Sequence, residues 1–68
     1  MNQVRLELVI DRDPETRKRR IQFFRHGTGD DLVDNAADYF ERILENASHD
    51  LLKQAGGDWL KHPPQKEP

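Results

Sequence analysis

Ten apolar residues between Leu32 and Leu52 constrain this chain more than anything else in it. They are Leu32, Val33, Ala36, Ala37, Phe40, Ile43, Leu44, Ala47, Leu51 and Leu52, and they recur at spacings of three and four. That period places them on one continuous stripe of an α-helix and fits no strand. Neither glycine nor proline interrupts the segment between Asp30 and Ala55, and Gly56-Gly57 then supplies residues suited to a left-handed C-terminal cap. At the start, Thr28 followed by Asp31 resembles a capping box with aspartate in place of the usual Glu or Gln, and Asp30 is an equally good N-cap. Asn46 or Ser48 is where a break would fall, because Ser48 can cap a second short helix; one continuous helix from about Asp30 to Ala55 is the expectation.

Upstream the period changes from 3.6 to 2. Val4, Leu6, Leu8 and Ile10 alternate with Arg5, Glu7, Val9 and Asp11, which predicts a strand with one buried face. Asp13-Pro14-Glu15-Thr16 reads as a turn, proline pre-setting the dihedral of a turn's second position. A second strand is predicted from Arg19 to His26, with Ile21 and Phe23 inward and Arg20, Gln22, Phe24 and His26 on the other side. Phe24 is the misfit, a large apolar residue on a polar face. The short connection makes an antiparallel hairpin the economical pairing. The fold class is therefore α+β: an antiparallel β-hairpin followed by one long amphipathic helix (ββα), completed by dimerisation. Residues 1–61 form the single domain, with Trp59 and Leu60 folding back onto the helix end or the hairpin. Residues 62–68 hold three prolines among polar neighbours and are expected to be a disordered tail.

Dimerisation follows from lengths. A helix over 30–55 runs about 39 Å at ~1.5 Å per residue, whereas strands of seven or eight residues span roughly 24–27 Å. The far end of the stripe, with Ala47, Leu51 and Leu52, is expected to project beyond the hairpin. Each strand of a two-stranded sheet also has an unpaired edge. A second copy answers both problems, either edge to edge through the strands or stripe to stripe through the helices.

Composition narrows the classes of function. The chain has 68 residues and no cysteine, which excludes disulfides and thiolate metal sites as staples for so small a fold. Small secreted domains usually rely on such staples, so a cytoplasmic location is expected. Arg5 and Glu7 interrupt the N-terminal apolar residues, and no run approaches membrane-spanning length, so neither a signal peptide nor a membrane partner is expected. The net charge is −2 but uneven. Residues 1–27 hold seven Lys/Arg against four acids, a net of +3, while residues 28–68 hold four against nine, a net of −5.

Two charged features and two aromatic residues are the candidate contact sites. Asp34, Asp38, Glu41 and Glu45, spaced by four, three and four, share one helical face that can dock a basic partner. Phe24 and Trp59 are the apolar residues expected to be exposed beside it. The basic set Arg17, Lys18, Arg19, Arg20 and Arg25 is the alternative, a hairpin able to lie along phosphates. Overall acidity argues against that alternative, since nucleic-acid-binding domains are typically basic. Nothing in the sequence carries catalysis: Thr16, Thr28 and Ser48 have no evident base, and Glu45 with His49 provides two ligands where a metal site needs more. No cofactor and no metal is expected. The expected function is a non-catalytic protein-binding module or regulator acting as a homodimer, with an unidentified protein partner.

Overall fold

The computed structural model describes residues 2–65. Its elements are β1 (Arg5–Arg12), β2 (Arg19–His26), α1 (Asp31–Ala55) and β3 (Asp58–Lys61), and the sheet order is β1-β2-β3. β1 and β2 form the expected antiparallel hairpin, Leu8 opposite Phe23 and Ile10 opposite Ile21. The helix comes next, as its stripe required.

The hairpin turn is held by two side chains, Asp13 and Thr16, whose Oγ1 accepts from the Lys18 N–H (3.3 Å). Asp13 Oδ1 accepts hydrogen bonds from the backbone N–H of Glu15 (2.8 Å) and Thr16 (3.2 Å). The backbone N–H of Asp13 donates to the Lys18 carbonyl (2.9 Å) and that of Arg17 to the Asp13 carbonyl (2.8 Å), with Arg17 in the left-handed region at φ 61°. The amides of Glu15 and Thr16 favour the charged form and lower the Asp13 carboxyl from its ordinary value.

Asp30 is the N-cap of α1, accepting a hydrogen bond from the Val33 N–H (3.0 Å). Asn2 clamps this cap from outside: its amide donates to Asp30 Oδ2 (2.9 Å) and its carbonyl oxygen accepts from the Asp30 N–H (2.7 Å). The helix runs without a break through Asn46 and Ser48, and Ser48 is buried inside it rather than capping a second helix. Gly56 ends it at φ 79°, its N–H bonding the Leu52 carbonyl at 2.7 Å.

Gly57 then lets the chain turn under the helix. At φ 126° it lies so close to the Arg19 carbonyl and the Leu52 side chain that a Cβ has no room there. The chain leaves this turn as a third strand. β3 pairs in parallel with β2, Trp59 opposite Ile21 and Lys61 opposite Phe23, and makes β2 the central strand. Trp59 and Leu60 thus fold back as expected, but by ladder pairing as well as by packing. The segment continues along β2 beyond Lys61: the His62 N–H donates to the Phe23 carbonyl (3.0 Å), the Gln65 N–H to that of Arg25 (2.8 Å), and the Gly27 N–H to that of Gln65 (2.8 Å). Pro63 and Pro64, which lack a donor, lie between these bonds. Of the segment read as a tail, Lys66–Pro68 lie outside the described residues.

One face of the sheet packs on α1 and the other is bare. Ile21 and Phe23, 2% and 1% exposed, form the core with Ala37 and Leu52. Trp59 stacks on Phe23 with ring centroids 6.0 Å apart. No described helix is long and apolar enough to cross a membrane.

Candidate functional site

The apolar stripe of α1 divides lengthwise into two lines one residue apart. The inner line, Val33, Ala37, Leu44, Ser48 and Leu52, is buried or half-buried against the sheet. The outer line, Leu32, Ala36, Phe40, Ile43, Ala47 and Leu51, is exposed along its whole length. Leu32 is 81%, Phe40 56% and Ile43 44% exposed. A shift of one residue is about 100° of helical rotation, so the outer line lies on the helix flank. Leu52, expected to project, is buried under the Gly57 turn; the uncovered apolar surface runs along one side instead of sitting at the far end.

The contacts of the helix fix which side this is. Glu41 reaches Lys61 and His49 lies against Trp59, so the helical face turned past the inner line toward Glu41, Glu45 and His49 looks to β3. The outer line is rotated the opposite way, toward β1. There Leu6 and Leu8 are half-buried and Ile10 is 63% exposed, all three on the helix side of the sheet by register. Helix flank and edge strand therefore make one apolar surface. Isolated exposed apolar residues are ordinary, but a contiguous line this long is not.

The acidic face expected to dock a partner has internal partners. Arg25, alternating inward with Ile21 and Phe23, reaches up from the sheet: Nη1 lies 2.6 Å from Asp38 and 3.1 Å from Glu41, and Nη2 lies 3.6 Å from Asp34. Lys61 Nζ reaches the other Glu41 oxygen at 2.9 Å. Burial works against the Glu41 charge, but Lys61 and Arg25 overcome it and hold its carboxyl below the usual range. Hydrogen bonding to Asp38 raises Arg25 further above its already high ordinary value. Three of the four acids therefore tie the helix to the sheet. Arg25, grouped from the sequence with the basic residues of the hairpin, is set apart from them by its inward register after Ile21 and Phe23.

The basic set is likewise divided. Arg20 makes a bidentate pair with Asp11 (2.7 and 2.8 Å) on the bare face of the sheet, while Arg25 anchors the helix on the other. Arg17, Lys18 and Arg19 stay together at the hairpin tip. With Arg12 they line an open cleft of about 360 Å³ beside the helix end at Gly56 and Gly57. No carboxylate among the described residues lies within ion-pair distance of these four cations.

Neither candidate aromatic is openly exposed. Trp59 is half-buried between Phe23 and His49, whose ring centroid is 5.5 Å away. Phe24, also half-buried, is stacked on the bare sheet face between His62 (4.2 Å, planes within 5°) and His26 (6.1 Å, 14°). His62 Nε2 is 2.9 Å from Gln22 Oε1 and His26 Nε2 is 3.0 Å from Glu7 Oε1. A second cleft, about 630 Å³ and wide open, runs between β3 and the end of α1 past His49, Asp58 and Trp59. Among the described residues no three His, Asp or Glu side chains gather as metal ligands.

The Arg25 cluster sets a pH dependence. A folded-state carboxyl pKa below the unfolded one contributes stability that is complete above the unfolded value and lost as pH falls through the folded value. Unfolding free energy, measured by urea titration, is expected to drop as pH falls below the ordinary glutamate value of 4.5, and Glu41→Gln is expected to flatten part of that slope. An equal slope in the variant contradicts the role given to Glu41.

No protein-family model, curated protein or solved structure matches this chain.

Proposed function

We infer that the chain is a non-catalytic protein-interaction module that acts as a homodimer, its principal contact surface being the flank of α1. The observation that carries this reading is the unbroken outer line from Leu32 to Leu51, apolar at every position and left exposed by the described residues of a single chain. Burial of apolar area contributes about 25 cal/mol per Å², so a line of four large side chains and two alanines represents a substantial driving force for association. The chain forms a slab of 39 × 23 × 13 Å, a single helix layer on a single sheet layer. A second copy on the flank gives the helix a second neighbour without disturbing the Arg25 cluster. Asn35, Tyr39 and Asn46, also exposed, border that flank on its solvent side and leave room for a further protein partner.

A second reading, binding to nucleic acid, is favoured by one observation: the four cations at the hairpin tip have no carboxylate partner among the described residues. Against it stand the pI of about 5.8 and the internal pairing of Arg20 and Arg25.

Light scattering on the intact chain is expected to give twice the 8.0 kDa chain mass at tens of micromolar. Ile43→Asp and Phe40→Asp each place a charge in the buried flank and are expected to raise the dimer dissociation constant by about 100-fold or more, with the helical circular dichroism retained. A wild-type mass of one chain at high micromolar concentration contradicts the reading. For the second reading, labelled DNA and RNA are expected to bind weakly at physiological salt, with no change on reversing Arg17, Lys18 and Arg19 to Glu. Tight binding that falls steeply with salt and is abolished by those reversals transfers the function to the basic tip.

A further inference from the structure

We propose that two copies join through their β1 edges into one six-stranded antiparallel-centred sheet, with the two α1 helices lying antiparallel beside each other across the twofold axis. This rests on the homodimeric reading and specifies how the dimer is built.

The sheet has two edges, and β1 presents the longer one, eight residues against the four of β3. On the β3 side the chain runs on into Pro63-Pro64, and proline has no N–H to offer an added strand. β1 carries no proline, glycine or bulge: its register with β2 is unbroken from Arg5 opposite His26 to Arg12 opposite Arg19. The parity of its hydrogen bonds is also fixed. The Gln3 N–H donates to the Thr28 carbonyl and the Asp13 N–H to that of Lys18, at either end of the strand. Odd-numbered residues thus bond inward to β2. The alternate residues Leu6, Leu8 and Ile10 therefore aim their N–H and C=O groups outward, where no backbone group of the described residues meets them.

Their side chains lie on the helix side of the sheet, opposite Arg25, Phe23 and Ile21. A twofold axis perpendicular to the sheet makes the joined strands antiparallel and keeps both helices on the same face. With the axis at Leu8, Leu6 faces the second copy's Ile10, and the outward amides of each strand meet the outward carbonyls of the other.

The helix flank obeys the same symmetry. Its outer line, Leu32, Ala36, Phe40, Ile43, Ala47 and Leu51, is spaced four, four, three, four and four. Reversed, the spacing is unchanged. Two antiparallel copies set Phe40 against Ile43 at the centre, Ala36 against Ala47 on either side, and Leu32 against Leu51 at the ends. The alanines allow close approach, and the large residues fill the middle and close the ends. Because the outer line leans toward β1, strand pairing brings these lines together; the two contacts form one continuous interface.

The size is adequate. A flank about 37 Å long, from 25 residues at ~1.5 Å, and about 20 Å deep, from a ~10 Å helix on a ~10 Å sheet layer, presents roughly 740 Å². A stable interface buries about 800 Å² per partner.

Residue-resolved hydrogen–deuterium exchange by NMR on the intact chain, in a sample whose mass is established by light scattering, tests the arrangement. The Leu6, Leu8 and Ile10 amides are expected to exchange about 100-fold or more slower than free-edge amides, comparably with Glu7 and Val9. In monomeric Phe40→Asp, whose substitution lies off β1, only the three even-numbered amides are expected to lose that protection. Fast exchange of these amides in a sample of dimer mass overturns edge pairing while leaving the helix-flank dimer standing. A monomer mass overturns both.

Discussion

A helix can bury only the arc it turns toward its sheet, and the apolar arc of α1 is about twice as wide as that. From Leu32 round to Leu52 the apolar positions span roughly 200° at 100° per residue, whereas an amphipathic helix on one sheet face needs about 100°. Every other feature of the molecule accommodates that excess. The inner half of the arc lies on Ile21 and Phe23, the two most buried side chains of the chain. The outer half stays exposed beside an edge strand whose Ile10 is itself uncovered.

Electrostatics decide which half is buried. The guanidinium of Arg25 projects from the central strand and gathers Asp34, Asp38 and Glu41, and Lys61 holds Glu41 from the neighbouring strand. These contacts pull the acidic side of α1 over β2 and β3 and roll the opposite side, with Phe40 and Ile43, out over β1. Partly buried pairs are worth more than exposed ones because solvent screens them less. The Arg25 side chain is 17% exposed and that of Glu41 18%, so this pair belongs with the former, whereas Asp34, Asp38 and Lys61 at its rim are more exposed. The same ion-pair cluster that seats the helix thus sets the orientation of the apolar surface it presents.

Much of this was legible in the sequence. The switch from period two to period 3.6 located the hairpin and the helix, Pro14 and Gly56-Gly57 located the breaks, and Asp30 was one of two N-caps the sequence allowed. β3 was not legible. Four residues are too few to show alternation, and a parallel strand after a helix draws its pairing from β2, distant in sequence. The internal pairing of the acidic face was hard to read for a related reason. Like charges on one helix read as a solvated or docking ridge when their counter-ion sits in a strand, and only the inward register of Arg25 hinted otherwise. Phe24 looked anomalous because its cover, His62, arrives from beyond β3. Periodicity also merged the two lines of the apolar stripe into one, since residues one apart on a helix differ by a rotation that only the packed sheet reveals.

We propose that the outer line of α1 meets its own copy. An isotope-filtered NOE measurement on a mixture of labelled and unlabelled chains observes that contact directly. Cross-peaks between the Phe40 ring of one copy and the Ile43 methyl groups of another are the predicted result. A sample at high concentration with no intermolecular cross-peaks, and with the Ile43 methyls fully open to a soluble relaxation agent, would contradict it.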